Sequence, residues 1–360
     1  MTKKLSENEN RQKSLVNEVV SKVGTPRLII GTFFLITLVM SCFLDISLPM
    51  TLSDIIKRIG MNGVLVLAMV PSIQAGMGPN FALPLGICCG LLGMVISIEI
   101  GLTGLGFLLV AMIIATLIAV VVGILYGKLL NSIKGSEMAI ATYTGFAAVA
   151  VMCLVWLMLP FQSPNMKWFL GDGLRETIQL ENIGADGLFN DFLRITIGNF
   201  TVPTGLLLVL GFFCFLIWLF FKSKSGMAVV ACGKSNKFAV ASGMDINKNR
   251  IIGNILSTVL GAVGIIIYAQ SYGFVQLYTA PLMMAFPAVA GILIGGATPN
   301  AAKVSHVFIG TLLFQGLLAS ALPVANVVFA GTDLSEMIRM VIQNGIILYA
   351  LCQVKGGARS

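Results

Sequence analysis

The stretch Leu105–Gly127, LGFLLVAMIIATLIAVVVGILYG, contains 23 residues and no charged side chain. An α-helix rises about 1.5 Å per residue, so about 20 apolar residues cross the hydrocarbon core of a bilayer. The stretch therefore predicts a transmembrane helix at 105–127. The same criterion identifies further apolar segments of similar length on both sides of this stretch.

Ten membrane spans are predicted in this way. Their composition supports the assignment: 57% of the 360 residues are hydrophobic and only 11% are charged, with a mean hydropathy of +0.95. A soluble domain carries about 25% charged residues. The sequence predicts an all-α polytopic membrane protein with spans near 27–48, 61–76, 83–100, 105–127, 137–159, 203–222, 250–270, 281–297, 304–322 and 337–353.

The predicted domain organisation is simple. A polar segment, 1–26, precedes a transmembrane domain, 27–353, and a short tail, 354–360, follows it. The first apolar run is longer than the hydrophobic core of a signal peptide and no small-residue cleavage site follows it, so it is interpreted as the first span.

The basic residues predict the orientation. If the amino terminus lies in the cytoplasm, 17 of the 23 basic residues fall in inner segments, the side that positive charge favours. The formal net charge of +8 is then an orientation signal, and no nucleic-acid partner is expected. A multi-pass protein of the bacterial cytoplasmic (inner) membrane is predicted. The six outer basic residues are Lys57, Arg58, Lys167, Arg175, Arg194 and Arg339.

Residues that could supply chemistry are scarce. The single histidine, His306, excludes a multi-histidine metal site, and neither HExxH nor GxSxG occurs. Gly233-Lys234-Ser235 resembles the end of a P-loop, but Ala228 stands where the first glycine is required. No proton-relay carboxylate lies inside a span. The chain is therefore predicted to be no enzyme, to have no resident metal or cofactor, and to lack its own energy source.

Neutral polar residues within the spans are candidates for a solute pathway. The break at 75–80, rich in glycine and proline, is a candidate pathway element, although an ordinary short loop is an equal alternative. Amides can also bond neighbouring helices, and for any single residue that structural role is favoured. The amides are Asn62, Gln74, Asn80, Asn254, Gln270, Gln315 and Asn344. The residues singled out for the pathway are Gln74, Asn80, Asn254, and two aromatics that could face a sugar or base ring, Phe81 and Phe286.

Two long loops stand out. The outer loop, 161–202, contains several acidic residues and could form a small cap or an amphipathic helix. The inner loop, 223–249, is basic and rich in small residues, and its pattern predicts two short helices separated by Gly233 at the membrane surface.

The inner loop resembles the cytoplasmic coupling segment of permease subunits from ABC importers. The closest group is the ribose, simple-sugar and autoinducer type, related to the branched-chain amino acid permeases. A second match, Gly295-Gly296-Ala297-Thr298 followed by Gly310-Thr311, resembles a late segment of the same group. The resemblance implies that ATPase coupling falls on Gly226, Ala231, Gly233, Lys234, Ser242 and Gly243.

The resemblance also implies partners. A separate ABC ATPase subunit would bind and hydrolyse ATP, a second permease copy or a homologous permease would complete the pathway, and an extracytoplasmic solute-binding protein would deliver the solute. Membrane lipid surrounds the spans. Two departures affect the substrate: Met77–Phe81 lacks the acidic residue usual in the sugar group, and Ala301-Ala302 replaces a glycine pair.

The predicted function is the transmembrane permease subunit of an ATP-driven importer for a small polar solute, such as a sugar, nucleoside or signalling furanose. The alternative is a secondary transporter or facilitator that works alone. A membrane enzyme or assembly scaffold is a third class, and no catalytic constellation supports it.

Overall fold

A computed structural model describes residues 24–133, 135–167, 174–328 and 334–356. Several predicted parts of the chain therefore lie outside the described residues: most of the segments 1–26 and 354–360, residues 168–173 of the loop 161–202, and Lys134. Most of the described residues are helical, which confirms the predicted all-α class.

Fourteen α-helices occur in the described part of the chain. They are α1 (Thr25–Phe43), α2 (Leu48–Leu67), α3 (Met69–Gln74), α4 (Leu83–Glu99), α5 (Gly104–Ser132), α6 (Glu137–Met158), α7 (Leu188–Asp191), α8 (Thr204–Lys222), α9 (Lys224–Lys234), α10 (Asn236–Ala241), α11 (Ile246–Tyr272), α12 (Ala280–Ile294), α13 (Val304–Val328) and α14 (Leu334–Gly356).

Two small antiparallel strand pairs complete the structure. Strand β1 (Thr177–Gln179) pairs with β4 (Phe274–Gln276), so that Ile178 lies opposite Val275. Strands β2 (Ile195–Ile197) and β3 (Phe200–Val202) form a hairpin. The outer loop 161–202 thus contains short strands and the four-residue helix α7, where the sequence left a cap or an amphipathic helix open.

Seven segments of the described chain are long and apolar enough to cross a membrane. They are α1, the joined α2–α3, α5, α6, α8, α11 and α13, and three shorter apolar helices lie in α4, α12 and α14. Each of the ten predicted spans therefore coincides with a helix, and the chain is an all-α polytopic membrane protein.

The second span begins earlier than predicted. The sequence placed its start at 61 and put Lys57 and Arg58 in an outer segment, whereas α2 begins at Leu48 and contains both residues. Asp54 and Arg58 form an (i, i+4) ion pair of 2.9 Å, and both line a cavity. A hydropathy criterion detects only the apolar part of a helix that contacts lipid. It therefore misses helical turns whose charged side chains face a cavity.

The opening stretch forms α5, and its two faces differ sharply. Large aliphatic residues recur every fourth position on the exposed face, while Ala111, Ala115, Ala119 and Gly123 recur at the same spacing on the buried face. Small residues let helices approach closely in a bilayer, where apolar burial between helices contributes little. Helix α5 packs its small-residue face against α4 and α11. The exposed aliphatic residues are Leu105, Leu109, Ile113, Leu117, Val121 and Leu125.

Helix α4 packs closely against two neighbouring helices. A Cβ added at Gly86 would lie 2.6 Å from the carbonyl oxygen of Thr258 in α11, and one added at Gly93 would lie 2.6 Å from that of Ala111 in α5. At Gly90 it would overlap Ile265 and the carbonyl of Ala262. The three glycines therefore allow α4 to contact the backbones of two neighbours.

The bundle has two distinct ends. One, the α9–α10 end, holds residues 223–249, the turns 75–82 and 295–303, and residues 135–136, which the contacts described below join together. The other, the hairpin end, holds β1–β4 and the β2–β3 hairpin, where the Ser53 hydroxyl accepts a 2.8 Å hydrogen bond from the Thr201 amide.

Substitution of Gly90 by alanine tests the close packing of α4. We expect Gly90→Ala to lower the melting temperature of the detergent-solubilised protein, because overpacking a tight contact costs about 1–3 kcal/mol. Gly211→Ala is the matched control, since its added methyl meets no atom within 4 Å on the exposed face of α8. Equal melting temperatures for both variants would contradict the packing.

Candidate functional site

The α9–α10 segment is built from two short helices with side-chain caps. The Ser223 hydroxyl accepts a 3.2 Å hydrogen bond from the Gly226 amide at the start of α9, and the Ser235 hydroxyl accepts one of 3.3 Å from the Phe238 amide at the start of α10. Such caps satisfy amides that have no partner within the helix. The break between the helices thus falls at Ser235, and the prediction that Gly233 separates them is wrong.

Gly233 has a different role, because it is the point of closest contact with the bundle. A Cβ there would overlap the Gln74 carbonyl oxygen and lie 2.8 Å from the Gly76 nitrogen. Gln74 ends α3, and the following turn uses Gly76 and Gly78 at positive φ before α4 begins. The predicted helix break at 75–80 is therefore present, and the α9–α10 segment rests directly on it.

Polar contacts tie the same end of the bundle together. Arg250 Nη2 at the start of α11 lies 2.7 Å from Glu137 Oε1 at the start of α6, and Asn131 Nδ2 donates a 2.9 Å hydrogen bond to the Asn247 carbonyl. Gln74 Nε2 donates to the Ala302 carbonyl. The segment that follows α10 is thus bonded to α5 and α6, and α3 is bonded to the 295–303 turn.

The coupling residues predicted from the sequence occupy two environments. Gly226 is buried, and Ala231 and Gly233 are half-buried against the bundle, whereas Lys234, Ser242 and Gly243 are exposed. Burial also raises the pKa of the Cys232 thiol on the inner face of α9. Three of the six residues therefore contact the bundle, and the other three belong to the surface that faces away from it.

Sequence reasoning missed the apolar part of that outward surface. Phe238 and Val240 on α10 and Met227 on α9 are all more than half exposed. Four lysines of the same region are also exposed: Lys224, Lys234, Lys237 and Lys248. Large apolar side chains inside an otherwise polar loop were the available signal, and exposure of that kind in a folded protein marks an interaction surface.

Two of the predicted pathway residues are buried in helix packing. Asn80 Nδ2 donates a 2.8 Å hydrogen bond to Ser257, and its Oδ1 accepts from Tyr126 and from the Ala82 amide. Asn254 Nδ2 donates to the Gly123 carbonyl at 3.1 Å. Both side chains bond neighbouring elements, the structural alternative given for single amides.

The other three pathway residues lie in two further places. Phe81 and Phe286 have ring centroids 6.3 Å apart, while Gln74 is at the α9–α10 end. The structure therefore does not bring the five residues around one space. Residues of the break do line a cavity of about 450 Å³, shared with Glu137, Pro299 and Asn300.

A larger cavity of about 560 Å³ lies toward the hairpin end, between α2, α11, α12, α13 and α14. Asp54, Lys57 and Arg58 of α2 line it. Three further lining residues, Asn62, Gln315 and Asn344, are span amides that the sequence analysis did not single out. Their convergence could not be read from the sequence, because they belong to three different helices.

Comparison with known families decides the class. The family described as branched-chain amino acid transport system / permease component matches residues 32–351. This chain belongs to that permease family. No curated protein matches it. The permease is a multi-pass transport subunit of the ABC type, and the predicted family resemblance is confirmed.

The Glu137–Arg250 pair of this permease provides a stability test. Side-chain exposure is 8% for Arg250 and 19% for Glu137, and removing one partner of a buried pair costs about 3 kcal/mol, because the other charge stays buried. We expect Glu137→Gln and Arg250→Gln each to lower the melting temperature, and the double variant to lose less than their sum.

The exposed pair of Arg194 and Asp191, with side chains 51% and 68% exposed, is the control for that experiment. Arg194→Gln should change stability by less than about 1 kcal/mol. Additive losses in the Glu137 and Arg250 variants would show that the two side chains do not interact.

Proposed function

We propose that this permease subunit imports a small uncharged polar solute, driven by a separate ABC ATPase that docks on the α9–α10 segment. The observation that carries the proposal is the contact between Gly233 and the Gln74–Gly76 backbone. Through this contact the exposed α9–α10 segment touches the helix break at 75–80 backbone to backbone, with no flexible side chain between them.

The contact provides a mechanical path. Helix α9 buries Gly226, Val229 and Cys232 against the bundle, so α9 and α3 should move as one packed unit. Packed elements shift between discrete arrangements and do not deform continuously. A push on α10 would therefore reach the turn at 75–82 and the two helices, α2 and α4, that flank it.

The outward surface of the segment suits a protein partner. It combines exposed apolar residues, Phe238 and Val240, with exposed lysines of the same region. An aromatic anchor within a charged rim is the usual composition of an interface centre. An ATPase surface with an apolar cleft and acidic rim would complement it.

The orientation and the remaining partners belong to the same proposal. An ATPase that uses cytoplasmic ATP requires the α9–α10 end to face the cytoplasm, in agreement with the distribution of basic residues. The amino terminus would then be cytoplasmic, and the hairpin end would face outward toward a solute-binding protein. A second permease subunit, identical or homologous, would complete the transporter in the cytoplasmic membrane.

The docking role of α10 is tested by replacing its aromatic residue. Phe238→Asp should reduce the ABC ATPase that co-purifies with the tagged subunit, and its ATP hydrolysis, at least tenfold, because a buried aromatic anchor contributes about 2 kcal/mol or more. Phe192→Asp is the matched control: Phe192 has the same 59% exposure but lies near the hairpin end. It should retain the ATPase.

Two results would contradict the proposal. Undiminished ATPase in the Phe238→Asp variant would remove the docking role. Solute uptake by the reconstituted subunit without any ATPase would favour the stand-alone transporter instead.

Cysteine labelling tests the orientation. In intact cells, a membrane-impermeant maleimide should label a thiol introduced by Arg194→Cys at the hairpin end and spare one introduced by Lys237→Cys on α10. Both positions are exposed. Exposed Cys42 and Cys352 are first changed to serine. The reverse pattern would place α10 outside the cell and end the proposal.

A further inference from the structure

The amide side chain of Gln315 lines the cavity toward the hairpin end. Gln315 is only 7% exposed, and no hydrogen bond to its side chain occurs among the described residues. It lies close to the midpoint of α13 and lines the cavity. Its amide therefore faces the cavity, where water or a ligand can take up its hydrogen bonds.

Other neutral polar groups accompany Gln315 in the lining. Asn62 and Asn344 line the same cavity. So does Pro287, which interrupts α12; because proline has no amide hydrogen, the carbonyl of Met283, also in the lining, loses its helical partner. These groups of the lining therefore offer hydrogen-bond donors and acceptors that carry no formal charge.

The charged residues of the lining all belong to one helix, α2. They are Asp54, Lys57 and Arg58, and Asp54 and Lys57 also line an adjoining cavity of about 470 Å³ under the hairpin end. Asp54 and Arg58 already pair with each other. The amides of Asn62, Gln315 and Asn344 carry no formal charge, so a charged solute that loses water beside them gains no opposite charge from them, which is unfavourable.

Apolar and aromatic side chains supply the rest of the surface. Tyr268 and Tyr272, with ring centroids 5.4 Å apart, line the cavity, as do Met61, Met284 and Phe314. Amphipathic rings suit a solute that has one apolar face and polar edges. The volume of about 560 Å³ falls within the range of small-molecule sites.

We infer that this cavity is the solute pathway of the subunit, and that the Gln315 amide selects an uncharged, hydroxyl-bearing solute of monosaccharide or nucleoside size. The inference rests on the proposed transport function and adds the site and the selecting residue to it.

Thiol labelling of the subunit without its ATPase tests the cavity. A cysteine introduced by Gln315→Cys, with Cys42 and Cys352 changed to serine, should react at least tenfold faster with the uncharged hydroxyethyl methanethiosulfonate than with the trimethylammonium and sulfonate analogues. All rates are normalised to those of 2-mercaptoethanol. Thr311→Cys, one turn away in α13, buried and outside the cavity lining, should remain unlabelled.

Three labelling results would overturn the inference. A Gln315→Cys thiol that none of the reagents reaches means that the cavity is closed to polar molecules. Equal rates with charged reagents remove the selection for uncharged solutes. Labelling of Thr311→Cys at the same rate shows that access does not follow the cavity.

Uptake by the complete transporter tests the amide. Radiolabelled D-ribose, D-glucose, adenosine and L-leucine are compared, and we expect accumulation of an uncharged, hydroxyl-bearing member. Gln315→Met, which keeps the length of the side chain, should lower that uptake about tenfold or more. Thr311→Val, whose hydroxyl bonds only the Val307 carbonyl of its own helix, should transport normally.

Accumulation of L-leucine alone would overturn the solute class, and unchanged uptake by Gln315→Met would overturn the role of the amide. Both experiments separate this inference from the proposed function. Loss of ATPase docking does not affect labelling of the isolated subunit, and wild-type ATP-driven uptake can persist when the Gln315 variants contradict the cavity.

Discussion

Direct backbone contact between α4 and its two neighbours is the constraint on which the bundle depends. Lipid tails are as apolar as leucine, so helices in a bilayer associate through close packing and hydrogen bonds. Gly86 and Gly90 bring α4 against α11, and Gly93 brings it against α5. Helix α11 in turn packs against α2 and carries the α9–α10 segment at its start. The contact of α4 with α11 therefore determines the positions of both the α9–α10 segment and the cavity toward the hairpin end.

The helices were predictable because lipid imposes a simple requirement on sequence. Leu105–Gly127 is apolar throughout and forms one helix, α5, and all ten predicted spans coincide with helices. The error at the second span has the same physical origin. Lys57 and Arg58 face a cavity, so the first turns of α2 do not satisfy a rule written for lipid contact. Helix capping explains the second error, because Ser235, and not Gly233, begins α10.

The site was less predictable than the fold. The position of the α9–α10 segment followed from its small residues and charges, but its exposed Phe238 and the seat of Gly233 on Gln74 depend on tertiary packing. The same limit applies to the amides. Asn80 and Gln315 look equivalent in the sequence, yet the first has three hydrogen bonds inside the bundle and the second lines a cavity. Only the arrangement of helices distinguishes a packing amide from one available to a solute.

The pairing of β1 with β4 joins the loop after α6 to the residues that directly follow α11. Helix α11 runs through the whole bundle. At its carboxyl end it continues into the β1–β4 strand pair, and at its amino end it follows the capped helices α9 and α10. Chimeric transporters made by exchanging only 161–202 between homologues would sever this ladder. An exchange that keeps the ladder intact has to include Phe274–Gln276 together with the loop, because the two strands bond each other.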